Sequence, residues 1–141
     1  MNDRLIGTWK LVSVTAEDVG TGEKRDVWGP DPEGFINYAP DGRMMVINAK
    51  SGRTKPSGSA ATREEAADLF QSVLAYAGRY TVDGDTVTHH VDISWNEMWT
   101  GTKQKRYARF DGNRVHLSTD PNPDPVNGRI SVRTITWEKM G

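Results

Sequence analysis

The segment Leu5-Ile6-Gly7-Thr8-Trp9-Lys10-Leu11-Val12-Ser13-Val14 places the strongest constraint on the fold. It alternates with the period of two typical of a β-strand, so Gly7, Trp9 and Leu11 share one face. Trp9 brings a large apolar side chain to that face, and Gly7 leaves room for another backbone to approach at a bend. We therefore expect a first strand over residues 5–16, with a Trp9 face that further strands must cover.

Seven more strands are predicted along the chain, and most are separated by Asp-Gly turns or polar loops. Their spans are residues 35–39, 43–49, 79–82, 86–95, 101–111, 114–119 and 130–139. Two longer loops are predicted, over residues 17–33 and over the Pro-rich residues 120–128. In the first loop, Trp28 either anchors the loop or contacts a ligand. Eight antiparallel strands close into an up-and-down barrel or split into a sandwich. The Trp9 strand and the last strand favour an all-β barrel.

One amphipathic helix is predicted between the third and fourth strands. Thr62 and Glu65 form a capping box, with Thr62 as the N-cap. Apolar residues then recur at helical spacing, and Gly78 is a typical helix end. The apolar stripe is Ala66, Leu69, Phe70, Val73, Leu74 and Ala77. The preceding residues 50–61 are small and basic, which predicts a mobile segment; whether it forms a lid stays open.

Composition restricts the class of protein. The 141 residues fit one domain, residues 1–141, and the net charge of −1 gives no field that would attract nucleic acid or an anionic membrane. There is no cysteine, which excludes disulfides, thiolate metal sites and a cysteine nucleophile. The opening residues lack the apolar run of a signal peptide, and no apolar run could span a bilayer. We therefore expect a cytoplasmic protein that binds neither nucleic acid nor membrane.

Alternation also assigns polar side chains to the barrel interior. On strand 86–95 the apolar face contains Val87, Val91 and Ile93, and it carries His89 and Trp95 inward with them. On strand 101–111, Gln104 and Arg106 face inward, and on strand 130–139 Trp137 does so. A buried arginine cannot deprotonate and needs an acceptor, yet no acidic residue shares its face. Arg106 is therefore predicted either to receive the head group of a ligand or to bond backbone carbonyls or a carboxylate of the helix.

Tyrosines complete the predicted interior. Tyr38 shares a face with Ile36, and Tyr80 shares one with Val82; Tyr76 is a further candidate. The predicted ligand-binding residues are Tyr38, Tyr80, His89, Trp95, Gln104, Arg106 and Trp137. A phenol beside a cation and an imidazole is able to act as a general acid or base, so His89, Tyr80 and Arg106 are the candidates for catalysis. The alternative is that the tyrosines cap a pocket and bond backbone groups.

The histidines do not predict a metal site. His89 and His90 are adjacent on one strand and point to opposite faces, so they cannot bind one ion together. His90 and His116 would lie two strands apart, about 9–10 Å, which is too far for shared coordination. The sequence thus predicts no metal and no cofactor.

The chain resembles the lipocalin-like domain family of small bacterial and fungal proteins, within the wider calycin group. The similarity rests on four segments spread along the chain: Leu5-Ile6-Gly7-Thr8-Trp9, Gly34-Phe35-Ile36-Asn37-Tyr38 with Asp41-Gly42-Arg43, Tyr76-Ala77-Gly78-Arg79-Tyr80, and Thr136-Trp137-Glu138. The resemblance implies a ligand-holding barrel in which Gly7 and Trp9 are structural. It also implies a basic residue of the last strand over Trp9, for which Arg133 is the matching candidate through a cation–π contact.

Three functions fit this reading of the sequence. The first is binding of a small, largely apolar molecule with a polar or anionic head group inside the barrel. The second is a cofactor-independent isomerase or cyclase that acts on a polyketide- or lipid-like substrate in the same cavity. The third is a barrel filled by its own side chains that serves as an interaction module, for example as a homodimer. The sequence leaves open whether the protein is an enzyme.

Overall fold

The computed structural model describes residues 2–125 and 127–141 and contains one closed antiparallel β-barrel. Two residues, Met1 and Val126, lie outside the described residues. Val126 belongs to the predicted loop 120–128. The strands are β1 (Gly7–Asp18), β2 (Lys24–Asp26), β3 (Glu33–Tyr38), β4 (Arg43–Ala49), β5 (Val73–Asp83), β6 (Thr86–Ser94), β7 (Lys103–Asp111), β8 (Arg114–Ser118), β9 (Asn122–Pro123) and β10 (Ile130–Lys139). The helices are α1 (Asn2–Leu5), α2 (Arg63–Gln71) and a 3₁₀ turn over Glu97–Trp99.

Eight long strands build the barrel, as the sequence predicts. Their order is β1-β3-β4-β5-β6-β7-β8-β10, and β10 pairs with β1 to close the sheet. The short strands β2 and β9 extend β1 and β10, and both lie within segments that the sequence assigns to loops. A two-residue strand that contains Pro123 is tolerated because it lies at the edge of the sheet.

One end of the barrel is filled by side chains, and we call it the closed end. Leu5 of α1 is fully buried there, and its carbonyl accepts a 2.8 Å hydrogen bond from Trp9 Nε1. The ring of Trp9 lies 6.4 Å from that of Phe110, which the Arg4 guanidinium covers at 4.1 Å. Trp9 and Trp137 are each 2 % exposed, so the aromatic side chains expected inside form a packed core at this end.

Lys139, and not Arg133, covers the ring of Trp9. The Lys139 ammonium lies 4.7 Å from the ring centroid and also donates to the carbonyl of Ile6. The register explains the difference from the expectation, because Trp9 stands opposite Lys139 in the β1–β10 pairing, whereas Arg133 stands opposite Ala16. The basic residue of the last strand is present as the resemblance implies, but it lies at the other end of that strand.

The helix is shorter than its apolar pattern predicts. The capping box is confirmed, since Thr62 Oγ1 accepts from Glu65 N at 3.2 Å and Glu65 Oε1 accepts from Thr62 N at 2.9 Å. However, α2 ends at Gln71, and β5 begins at Val73, six residues before the predicted strand. The reason is tertiary, because β5 pairs along its length with β4 and β6.

A β-bulge in β6 reverses the predicted orientation of Ile93. Gly78 of β5 stands opposite Val91, whereas the preceding Ala77 stands opposite Ile93, so Asp92 is the extra residue. Val87, His89 and Val91 lie inside as predicted, but Ile93 is 66 % exposed on the outer surface.

No helix within residues 2–125 and 127–141 combines the length and the apolar character needed to cross a membrane.

Candidate functional site

A cavity of about 600 Å³ occupies the end of the barrel opposite the closed end. Its wall comes from the second half of β1 and the adjoining ends of β4, β5, β7 and β10, and its rim comes from β2 and the loops around Trp28, Lys50 and Trp99. The volume lies within the range of about 300–1,000 Å³ that is common for small-molecule pockets. The lining residues are Val14, Arg25, Asp26, Val27, Trp28, Asn48, Lys50, Gln71, Val73, Leu74, Trp95, Trp99, Arg106, Thr119, Pro125, Arg133 and Ile135.

Three tryptophans supply the aromatic part of this wall. Trp95 and Trp99 meet edge to face, with 5.3 Å between ring centroids, and the Trp95 Nε1–H donates to the carbonyl of Phe70 at 3.2 Å. Trp28 lies in the loop after β2, where its carbonyl accepts from Ser51 N at 3.0 Å. The loops at Trp28 and Ser51 are thereby joined at the rim. Flat, polarisable indole rings favour an apolar or aromatic ligand.

Arg106 is a cation of the wall that no described carboxylate neutralises; Lys50, which also has no described ion pair, lies over the Trp28 ring at the rim, 6.0 Å from the ring centroid. Arg106 points inward from β7, and its only described hydrogen bond is a 2.9 Å donation to the carbonyl of Lys105. None of the carboxylates in residues 2–125 and 127–141 forms an ion pair with it. Since a guanidinium has five N–H donors, Arg106 retains donors that a ligand could use.

Two further arginines of the wall share the buried carboxylate of Asp124. Arg25 Nη2 lies 2.6 Å and Arg133 Nη2 lies 3.7 Å from Asp124 Oδ2, and the Ser131 hydroxyl donates to the same oxygen at 3.2 Å. The Asp124 side chain is fully buried, so the ion pairs tie the β2 loop to β10. This cluster builds part of the rim, and Arg106 takes no part in it, so its donors stay available for a head group.

Asn48 is a polar lining residue that the sequence analysis missed. It is only 5 % exposed, and its Oδ1 has no hydrogen-bond partner among the described residues. The residue faces inward from β4 after Met44 and Val46. Both faces of that strand are apolar in sequence, so alternation gives no sign that Asn48 points inside. Arg25 and Trp99 were also missed, because they reach the cavity from segments outside the predicted strands.

Below the cavity, His89 joins two tyrosines. The Tyr38 hydroxyl lies 2.6 Å from His89 Nε2, and the Tyr76 hydroxyl lies 2.5 Å from His89 Nδ1. A neutral imidazole accepts one hydrogen bond and donates one, so one phenol donates to the ring and the other accepts from it. Tyr76 also contacts the ring of Trp99 at 5.8 Å, which connects this network to the cavity wall.

The network is held in its neutral form. Burial lowers the pKa of the His89 imidazole to about 3, and the nearby Arg106 cation acts in the same direction. Burial raises the pKa of Tyr76 to about 12, although Arg106 opposes this shift, and it raises the pKa of Tyr38 well above its usual range. All three groups are therefore uncharged hydrogen-bonding groups at neutral pH.

The remaining predicted residues do not meet at the cavity. Tyr80 donates to the carbonyl of Ala39 at 2.7 Å, which is the backbone-bonding role left open from the sequence. Gln104 donates to Thr102 Oγ1 at 3.0 Å, and Trp137 belongs to the packed core. Of the seven predicted ligand-binding residues, the cavity wall contains Trp95 and Arg106.

The histidines are dispersed, as their sequence positions predict. His90 points outward and lies 2.9 Å from Thr81 Oγ1, whereas His89 is inside. Among residues 2–125 and 127–141, no group of three histidine, aspartate or glutamate side chains is close enough to hold a metal ion.

Comparison with known proteins agrees with this architecture. The sequence model of the lipocalin-like domain matches residues 6–140. A 4'-hydroxy-3'-methoxypropiophenone carrier protein, ppsC of Aspergillus oryzae, is 34 % identical over 87 residues, which are 56 % of this chain and 78 % of that protein.

One solved structure is similar in fold at low sequence identity. A lipocalin-like protein from Bacteroides uniformis superposes with a TM-score of 0.53 at 14 % identity, covering 97 % of this chain and 99 % of that one. An uncharacterized protein from Bacteroides eggerthii gives a TM-score of 0.46 at 14 % identity, covering 96 % and 99 %. With a match over residues 6–140, this chain belongs to the lipocalin-like domain family.

Proposed function

We propose that this protein binds a small, largely apolar molecule in the barrel cavity and that Arg106 receives its polar or anionic head group. The observation that carries the proposal is the Arg106 guanidinium, which has no ion-pair partner among the described residues and lines a cavity of about 600 Å³. Apolar walls with a few convergent polar groups are typical of ligand pockets. Asn48, whose Oδ1 lacks a partner among those residues, is a second polar contact for the ligand.

The similarity to a carrier of a hydroxy-methoxy-propiophenone supports an aromatic ligand. Such a molecule has a flat ring for Trp28, Trp95 and Trp99, and a carbonyl oxygen that can accept from Arg106. We therefore choose 4'-hydroxy-3'-methoxypropiophenone as the first probe and 4-hydroxy-3-methoxybenzoate as its anionic counterpart.

The hydrogen-bonded network favours a binding role over the enzymatic alternative. A general acid or base works best with a pKa near the working pH. Here the pKa of His89 is lowered to about 3 and that of Tyr76 is raised to about 12, so both move away from neutrality. Such groups are suited to hold the floor of the cavity by hydrogen bonds and not to transfer protons. The open cavity also disfavours the third hypothesis, in which side chains fill the barrel along its whole length.

Isothermal titration calorimetry with the two probes tests the proposal. We expect at least one probe to bind, and Arg106→Gln to weaken binding about tenfold to a hundredfold, because a hydrogen bond to a charged group contributes about 1.5–3 kcal/mol. Arg109→Gln is the matched control, since Arg109 lies on the same strand and is exposed on the outer surface. Failure of both probes to bind, or equal affinities of the wild type and Arg106→Gln, would contradict the proposal.

A further inference from the structure

The outer surface of β3, β4, β5 and β6 carries an uncovered apolar patch. We call this set the outer patch: Phe35, Met45, Ile47 and Ile93, around Ala75 and Ala77. The four large side chains are 45 %, 67 %, 56 % and 66 % exposed, in that order. Both faces of strand 43–49 are apolar in sequence, which predicts that a further element covers one of them; no described element does so. Contiguous apolar surface of this kind marks an interaction site more often than a chance exposure.

The outer patch has a ridge beside a groove. Met45 and Ile47 of β4 stand directly opposite Ala77 and Ala75 of β5, so a row of large side chains runs along a row of small ones. Ile93 of β6 stands opposite Ala77 and forms the other side of the groove. The groove between them has a volume of about 630 Å³. A ridge and a groove side by side on one surface fit a copy of themselves related by a two-fold axis.

The charges around the patch also suit a second copy. No aspartate, glutamate, lysine or arginine lines the groove. At its edge, Arg43 and Asp92 neutralise each other through a 2.8 Å ion pair. The net charge of −1 for the whole chain gives no repulsion that would keep two copies apart. A strongly charged protein or an anionic lipid surface finds no complementary field here.

The area is sufficient for association. The four strands β3, β4, β5 and β6 at about 4.8 Å spacing, with about seven residues at 3.3 Å each, give a projected face of roughly 440 Å². Accessible area exceeds projected area, so this face with its polar edge has the size of a weak, transient interface, which buries less than about 1,200 Å² in total. Its apolar centre and polar edge match the anatomy of such interfaces.

We propose that a second copy of this chain docks on the outer patch, face to face about a two-fold axis, with Met45 and Ile47 of one protomer over Ala75 and Ala77 of the other. Trp95 lines both the groove and the cavity, but Met45 and Ala77 line only the groove, so substitutions at these two residues test the inference separately from the cavity ligand.

Sedimentation velocity of the full chain, from about 1 to about 100 µM, tests the inference. We expect a dimer at the upper concentrations. Met45→Glu and Ala77→Glu each place a charge in the interface twice, once per protomer, and should raise the dimer dissociation constant about a hundredfold or more. Val19→Glu is the control, because Val19 is 57 % exposed outside the outer patch and should leave the dimer intact.

Two outcomes would overturn the inference. One is a wild-type chain that remains monomeric over the whole range. The other is a dimer that all three variants leave unchanged, or that Val19→Glu dissociates as strongly as the two patch variants. Circular dichroism and the calorimetric binding assay establish that each variant is folded. If Met45→Glu does not fold, the dimer dissociation constant of Ala77→Glu still tests the inference.

Discussion

Acid should destabilise this protein through His89. The imidazole is 2 % exposed and lies between the hydroxyls of Tyr38 and Tyr76, and burial lowers its pKa from 6.5 to about 3. In the unfolded chain the imidazole regains its ordinary pKa. Between these two values the unfolded state binds a proton that the folded state does not, so stability falls as the pH falls.

The size of the effect follows from the shift. One pKa unit corresponds to about 1.36 kcal/mol, and the pH interval from 6.5 to 4.5 uses two units of the available difference. The loss of unfolding free energy between pH 7 and about pH 4.5 is therefore about 2.5 kcal/mol from His89 alone. This is a large part of the 5–15 kcal/mol that is typical of a whole domain, so the acid transition should be evident.

Urea denaturation of the wild type and His89→Gln, at a series of pH values, isolates this contribution. A glutamine amide keeps one donor and one acceptor for the two tyrosines but does not titrate. We expect the variant to be less stable at pH 7, and the wild type to lose about 2.5 kcal/mol more than the variant on acidification. Stability curves that run parallel for the two proteins would refute the reasoning, as would a His89 pKa near 6.5 measured by NMR in the folded protein.

Two further substitutions test the closed end and the bulge. Lys139→Met removes the ammonium that covers Trp9, and should lower Tm by about 4 °C, since a cation–π contact and a lost hydrogen bond amount to about 1 kcal/mol; an unchanged Tm would mean that packing alone holds the ring. Gly78→Ala would place a Cβ 1.8 Å from the carbonyl oxygen of His90 and should cost about 3 kcal/mol in chemical denaturation, whereas Gly58→Ala, with no atom within 4 Å, should be nearly neutral.

Local sequence patterns predict the barrel well because each strand has its own signal. Strands 43–49 and 130–139 begin and end where expected, since both are rich in β-branched or apolar residues and turn or loop residues bound them. Residues 73–77 have both helical spacing and strand propensity. These residues form a strand because they pair with β4 and β6, and the local sequence pattern carries no information about that pairing.

The cavity is less predictable than the barrel because it depends on register and on loops. Counting faces predicts that Arg106 points inward, but the count does not show how deep a residue lies, so it also includes Gln104 and Trp137. Trp95 lies after the end of β6, and the alternation of that strand does not explain its place in the cavity wall. The bulge at Asp92 shifts the count by one residue and exposes Ile93. Arg25 belongs to a loop in sequence, and only the folded chain shows that it joins Asp124 at the rim.

The seam between β1 and β10 also governs when the barrel can form. It brings Trp9 opposite Lys139, so one of the longest-range contacts of the chain is also the one that closes the sheet. During synthesis, a chain that ends before Ile130 leaves β1 and β8 as two open edges, each with unpaired N–H and C=O groups. Such a nascent chain is exposed to strand exchange and aggregation, and its folding is slow because closure must wait for the last strand. The interval before β10 emerges from the ribosome is therefore the one in which both edges are open to wrong pairing.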